Sequence, residues 1–306
     1  MPKVSIILPS YNHGAYLRDR MDTIINQTYE DWELIIIDDR STDGSLEILT
    51  DFAAKNKAKI KFFIVNEVNS KSGYFSWEKG INIAESEYVW IAETDDYSDV
   101  NFLKEQIAVL EQNKNCALVF CASNYVDANK QFLLNSDRRT KDLAVKEGEY
   151  KVFDGSVFID KMPFNTYITN GSSVVFRKPN REIPHEIFLQ RQCSDLFLWT
   201  FLLQNESFAF LNKKRNYFRR HEESTTTKIS SGKQLIGTYK ELVFYLEYYN
   251  FPDKYSNFIT YYFNNYLWKN KKEVFNVKVF ENNKELKKLY FQKLIPLVIK
   301  KLFNGK

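Results

Sequence analysis

In the first third of the chain, short aliphatic runs alternate with segments in which apolar residues recur every three or four positions. Val4-Ser5-Ile6-Ile7-Leu8 is followed by Leu17, Met21, Ile24 and Ile25 at helical spacing, and Glu33-Leu34-Ile35-Ile36-Ile37 by Leu46, Leu49 and Phe52. Lys61 to Val65 is followed by Trp77, Ile81 and Ala84, and a fourth run covers Tyr88 to Ala92. Strand-length runs joined by amphipathic helices predict successive β-α units, and so a mostly parallel sheet covered by helices on both faces.

The polar residues fall at the same place in each unit. Pro9-Ser10-Tyr11-Asn12 follows the first run, Asp38-Asp39 the second, Asn66 to Ser72 the third, and Glu93-Thr94-Asp95-Asp96 the fourth. Open α/β sheets place their ligand crevice outside the carboxyl ends of the strands. Four clusters at equivalent positions therefore predict one site assembled from separated segments.

Further along, Asn101 to Gln112 has helical spacing, while Ala117 to Ala122 and Ser172 to Phe176 read as strands. Residues 127–170 are polar and aromatic without a clean period and predict a less regular region beside the sheet. Asp195 opens a helical pattern with Leu196, Leu198, Trp199 and Leu202. From about residue 233 the character changes to aromatic-rich helices, marked by Leu235, Tyr239, Leu242 and Leu246.

Composition narrows the class. A chain of 306 residues with 44% hydrophobic and 16% aromatic content can bury a substantial core. Its net charge of +4 is too mild for a nucleic-acid binder, which concentrates a stronger basic stripe. Cys116, Cys121 and Cys193 are odd in number and lack zinc-type spacing, which makes reduced thiols the default. The Met-Pro-Lys-Val-Ser start has no secretory-signal character, and no apolar run approaches the about 20 residues of a membrane span. Cytoplasmic residence is the expectation.

Two of the polar clusters have chemistry that can be read directly. Adjacent carboxylates such as Asp95-Asp96 repel each other without a cation, and hard oxygen ligands suit Mg²⁺ or Mn²⁺ bridging to a diphosphate. The same acids could instead serve the positive end of the helix that follows. Asp38-Asp39 before Ser-Thr-Asp-Gly fits a ligand contact or plain turn chemistry, and Asp195 alone reads as a helix cap.

The stretches Val4 to Asn12, Ile25-Asn26-Gln27-Thr28-Tyr29, Ile37 to Ser45 and Ala92 to Asp96 together resemble the inverting family 2 glycosyltransferases of GT-A fold. Weaker matches are Ser194 to Trp199 and Tyr217 to His221. The resemblance is strong to about residue 125 and thinner to about 226. It implies a GT-A, Rossmann-like α/β domain over residues 1–226, with a nucleotide-binding half at 1–125 and an acceptor half at 126–226. Residues 227–306 then form a C-terminal helical region.

In that family, the carboxylate matching Asp39 accepts a hydrogen bond from the nucleotide base. Pro9 and Tyr11 border the base, and Asn12 and Asn69 belong to the same nucleotide contacts. Asp96 matches the metal ligand and Asp95 the ribose side. His221 can join the metal, and Arg219 and Arg220 can contact the diphosphate. Asp195 matches the general base, which deprotonates the attacking hydroxyl. This chain departs from the family in having Glu93-Thr94-Asp95-Asp96 for the usual Asp-x-Asp, and Lys71, Trp77 and Lys79 where many relatives carry an arginine.

The resemblance implies a metal-assisted enzyme that moves a sugar from a nucleotide diphosphate sugar, a UDP-sugar by pattern, to a glycan or lipid-linked acceptor in bacterial surface-polysaccharide biosynthesis. A noncatalytic sugar-nucleotide-binding scaffold and a nucleotidyltransferase are the alternatives, though the latter would need a Gly-rich phosphate loop. Within residues 281–306, the stretch 284–301 combines lysines with Leu, Ile and Phe in a basic amphipathic pattern broken by Pro296. Such a helix either lies on the inner face of the cytoplasmic membrane or docks on its own protein.

Overall fold

The computed structural model describes residues 1–222, 235–270, 277–280 and 283–303. The chain divides into two compact units, Met1–Glu222 and Glu223–Lys306. The expected boundary at 226/227 and the polar run Ser224 to Thr227 lie outside the described residues.

The first unit is built on a ten-stranded sheet. Its strands are β1 (Val4–Ser10), β2 (Trp32–Asp38), β3 (Ile60–Val65), β4 (Tyr88–Ile91), β5 (Tyr97–Ser98), β6 (Cys116–Val126), β7 (Phe132–Asn135), β8 (Tyr150–Asp154), β9 (Val174–Arg177) and β10 (Ser207–Arg219). Its helices are α1 (Gly14–Ile25), α2 (Ser45–Lys55), α3 (Gly73–Ile83), α4 (Phe102–Gln112), α5 (Asp137–Thr140), α6 (Gly155–Lys161) and α7 (Ser194–Leu203). The order runs β3-β2-β1-β4-β9-β6-β10-β5, with β7 on β6 and β8 on β10.

β3, β2, β1 and β4 are parallel, as the β-α pattern predicts. Because β1 leads to β2 on one side and lies beside β4 on the other, a topological switch point falls between β1 and β4. β9 departs from the parallel rule by running antiparallel between β4 and β6.

Alternation of side chains explains the layers. Val4, Ile6 and Leu8 point to one face, where they join Leu17, Met21 and Ile24 of α1 in a fully buried cluster with Trp32, Leu34 and Ile36. Ile7 faces the other way onto α3. There Gly80 is required by contact, since a Cβ would stand 2.5 Å from Ile7 Cγ2. The Asp43 carboxylate accepts from Ser45 N at 3.0 Å and from Gly14 N at 2.9 Å, which ties the start of α2 to that of α1.

Two regions differ from expectation. Residues 127–170 contain β7, α5, β8 and α6, elements too short to show a period. β10 is 13 residues long and was hidden by Lys213-Lys214-Arg215 in its middle. It is parallel to β6 and antiparallel to β8 and β5, so tertiary pairing made the strand where hydrophobic alternation is broken. The three cysteines are buried and form no disulfide.

The second unit contains helices Leu235–Tyr248, Tyr255–Tyr262 and Lys284–Phe303. Tyr239, Tyr245, Phe258, Tyr262, Phe280 and Tyr290 are buried, with ring pairs such as Tyr239–Tyr262 at 4.7 Å and Phe280–Tyr290 at 5.1 Å. Asn283 Oδ1 accepts from Leu286 N at 2.8 Å and so caps the last helix. No helix among the described residues is long and apolar enough to cross a membrane.

Candidate active site

The loops after β1, β2, β3 and β4 converge at the carboxyl ends of their strands, and the end of β10 closes on them. Asn12, Arg40 and Lys71 hold left-handed backbone conformations, with φ of 53°, 68° and 64°. Each sits in one of the first three loops, where non-glycine residues at positive φ mark backbone held by its surroundings.

At the β2 side, Asp39 is 3% exposed and its carboxylate is densely bonded. It accepts from Asn66 Nδ2 at 2.7 Å, Asn69 Nδ2 at 3.0 Å, Ser70 Oγ at 2.7 Å and Ser70 N at 3.0 Å. Asn12 ties the neighbouring loops together, its Oδ1 accepting from Thr42 N at 2.7 Å and its own N–H donating to Ser41 Oγ at 3.0 Å. Asp38 is buried and accepts from Ser41 N and Oγ, so it organises the turn. Tyr11 is 45% exposed over this end. The Pro9 carbonyl accepts from Thr94 Oγ1 at 3.1 Å, joining the β1 loop to the acidic segment.

At the β4 side, three carboxylates crowd together in different states. Burial, then the charges of Asp96, Asp95 and Asp195, push Glu93 well above the usual carboxylate range. Burial and the Asp95 charge push Asp96 up to about 7, while Arg20 and the Arg219 N–H oppose the rise. Asp95 goes the other way. Burial alone would raise it, but His13 and His221 hold it down to about 2. Fully buried Arg20 lies beneath this group, its own pKa lowered by burial to about 10. It donates to the Glu93 carbonyl at 2.8 Å and to Ser172 Oγ at 3.0 Å, and its guanidinium lies 5.4 Å from the Trp90 ring.

The two aspartates also differ in place. Asp96 faces inward, accepting from Arg219 N at 2.9 Å and from Asn170 Nδ2. Asp95 faces the crevice, with His221 Nε2 3.2 Å from its Oδ2. One ligand atom from each of His13, Asp95 and His221 lies within 4.8 Å of the others. Asp96, expected from the resemblance as the metal ligand, lies outside this group, which contains Asp95 instead. The side chain of His221 is 5% exposed and its ring stands 4.8 Å from Tyr16 and 5.8 Å from His13.

The expected diphosphate contacts have other surroundings. The Arg219 side chain is 1% exposed, pairs with Asp19 at 2.8 Å and lies against the rings of Tyr16 and Tyr97. In this structure the guanidinium is enclosed by these groups. Arg220 is half-buried 5.5 Å from the Tyr125 ring. Trp77 is a core residue 5.0 Å from Tyr74, and exposed Lys79 donates to Asn66 Oδ1 at 2.9 Å.

Asp195 stands in the first turn of α7, where Tyr74 Oη donates to its Oδ1 at 3.4 Å. Its charge acts on Glu93 from a segment a hundred residues away. The structure thus brings Asp39, Asn69 and Asn12 together at one end, and Asp95 and His221 together at the other.

Sequence reasoning passed over His13, Arg20, Tyr74, Asn170 and Ser172. Arg20 had a signal: it occupies the same helical face as Leu17, Met21 and Ile24, where a charge is unexpected. His13 directly follows a cluster that was noticed. The other three had none, because their partners are far away in the chain. A separate cavity of about 1000 Å³, lined by Glu87, Lys114, Arg177 and Glu206 among others, opens at the opposite, amino ends of β4, β6 and β10.

A switched α/β sheet with a crevice across its carboxyl ends and acids at β4 is the GT-A form of glycosyltransferase fold. The family description "Glycosyl transferase family 2" matches residues 5–182, and the chain belongs to that family. EpsE of Bacillus subtilis is 36% identical over 118 residues, 39% of this chain and 42% of that protein. An uncharacterized glycosyltransferase of Haemophilus influenzae is 31% identical over 158 residues, 50% of this chain and 60% of that protein. These alignments span about half the length of those relatives. Residues 1–349 of TarS from Staphylococcus aureus, solved in complex with UDP, share the fold with a TM-score of 0.62 at 16% identity, covering 97% of this chain and 86% of that one.

Proposed function

We propose that this protein is an inverting glycosyltransferase. In this reading it moves a sugar from a UDP-sugar to a glycan or lipid-linked acceptor, with Asp195 as general base and Mg²⁺ or Mn²⁺ at the acidic cluster. The observation that carries the reading is the group of ligand atoms formed by His13, Asp95 and His221 at the carboxyl ends of the strands, beside the acidic segment Glu93 to Asp96.

The donor set suits a divalent cation, because one carboxylate and two imidazoles each bring a ligand atom to the same place. Such a cation supplies positive charge to a departing diphosphate. Asp195 takes the proton from the acceptor hydroxyl, and attack from the face opposite the leaving group inverts the anomeric centre. Tyr74 holds the Asp195 carboxylate by its hydroxyl.

At the other end, Asp39 receives the base, with Pro9, Tyr11, Asn12 and Asn69 around it. Since the lone pairs of Asp39 are already engaged by the Asn66–Ser70 loop, the base exchanges with one of those donors. A UDP donor is supported by the solved complexes of TarS with UDP and with UDP-GlcNAc. Catalysis is assigned to residues 1–226.

Within the helical region 227–306, residues 281–306 are assigned to peripheral membrane-surface contact. Phe291, Ile295, Ile299, Leu302 and Phe303 are exposed along helix Lys284–Phe303, among lysines such as Lys284, Lys287 and Lys288.

A thermal-shift screen of nucleotide diphosphates and UDP-sugars, with Mg²⁺, Mn²⁺ or chelator, tests the reading. A metal-dependent rise with a uridine nucleotide is expected. No shift under any condition would leave a noncatalytic scaffold as the better account.

A further inference from the structure

We infer that His13 is a metal-binding residue, and that with Asp95 and His221 it makes a two-imidazole, one-carboxylate site that prefers Mn²⁺ or a later divalent transition metal to Mg²⁺. This rests on the glycosyltransferase reading for its place in the reaction. The binding claim stands on geometry alone.

Three observations carry it. His13, Asp95 and His221 each bring one ligand atom within 4.8 Å of the other two, although they come from the β1 loop, the β4 loop and the residues after β10. The hydrogen bonds around Thr94 fit a metal-ready tautomer of His13. With the Thr94 hydroxyl donating to the Pro9 carbonyl at 3.1 Å, its 2.7 Å contact with His13 Nδ1 is one in which Nδ1–H donates. That arrangement leaves Nε2 to face a metal, and the Thr94 contact orients the ring as outer-shell partners of metal-bound histidines do. Finally, no side-chain capping bond is made by His13 at the start of α1, although it occupies the cap position. Helix geometry therefore gives no reason for this side chain.

The choice of metal follows from ligand type. Mg²⁺ prefers a mostly oxygen shell at near-octahedral geometry and keeps its waters, whereas imidazole favours transition metals in the order of increasing affinity from Mn²⁺ onward. Two nitrogens in a set of three move this site away from Mg²⁺.

The test uses the full chain with Mn²⁺ alone and with Mn²⁺ plus UDP, read by electron paramagnetic resonance. Bound Mn²⁺ should show ¹⁴N coupling from two imidazoles in the wild type and from one in His13→Ala and in His13→Gln. The glutamine variant retains a donor for Thr94 and controls for local folding. Mn²⁺ affinity should fall at least about tenfold in both variants, and the preference for Mn²⁺ over Mg²⁺ should shrink. Binding of UDP in chelator should not change. Wild-type nitrogen coupling and Mn²⁺ affinity in both variants would overturn the role of His13 while leaving the glycosyltransferase reading intact. A wild type that takes up no Mn²⁺ with or without UDP would overturn the inference as well. A wild type that binds Mn²⁺ through two imidazoles but binds no nucleotide would uphold the site and remove the enzymatic reading.

Discussion

His221 Nε2 stands 3.2 Å from Asp95 Oδ2, although 126 residues separate them. The contact exists because β10 runs parallel to β6 and delivers its carboxyl end to the same edge of the sheet as β4. It joins the acidic segment that could be noticed in the sequence to a basic segment whose strand could not.

Asp195→Asn should remove the proton acceptor and leave the rest of the site in place. The expected result is a loss of about 10³-fold in transfer rate with UDP-dependent thermal stabilisation unchanged. A variant that keeps most of its rate would take the general base away from Asp195.

Asp95 and Asp96 should separate by measurement. Asp95→Ala is expected to abolish the Mn²⁺-dependent thermal shift. Asp96→Ala leaves the Arg219 N–H and Asn170 Nδ2 without their acceptor and should cost about 1–3 kcal/mol of stability while some metal response survives. Denaturant midpoints with and without Mn²⁺ make the comparison, and the reverse pattern would restore Asp96 as the ligand.

Gly171→Ala tests the support of the acidic cluster. A Cβ there would meet Trp77 Cη2 at 2.4 Å and Glu93 Oε2 at 3.4 Å. Gly171 lies between Asn170 and Ser172, which hold Asp96 and Arg20. Overpacking should cost about 1–3 kcal/mol and reduce transfer activity together with stability. Urea unfolding and rate measured on the same preparation would show both.

Asp19 gives a pH signature. Burial would raise its carboxyl, but Lys130 and Arg219 hold it below the ordinary range. A depressed acid contributes stability that is present above the unfolded value, about 3.9, and lost as pH falls through the folded value. Asp19→Asn should therefore cost about 1–3 kcal/mol at pH 7, leaving buried Arg219 without its partner, and much less near pH 3. Urea midpoints at the two pH values check this, and an equal gap at both would refute it.

The exposed stripe of the last helix is tested without touching its buried face. Phe291→Ser, Ile295→Ser and Ile299→Ser together should reduce sedimentation with anionic liposomes and leave the fold intact, since Leu286, Tyr290 and Leu294 remain. Unchanged sedimentation would remove the membrane assignment.

By itself the sequence determined the succession of β-α units, the convergence of four polar clusters and the helical character of the tail. Those properties are local: a strand shows alternation or an apolar run, a helix its period, and a parallel sheet follows from their order. Asp39 and Asn69 stood out for the same reason, as polar residues at strand ends, whereas Asp195 by itself read as a helix cap and its expected role came from the family resemblance.

Only the tertiary structure decided which of two adjacent aspartates faces the crevice. Neighbours in a loop give no local signal of direction, and the outcome depended on Arg219 and Asn170, which arrive from β10 and from the turn before β9. The same long-range pairing turned Arg219 inward onto Asp19 and Tyr16, and brought His13 to His221. A site divided among separated segments is settled by the register of the sheet, because that register sets which strand ends stand side by side.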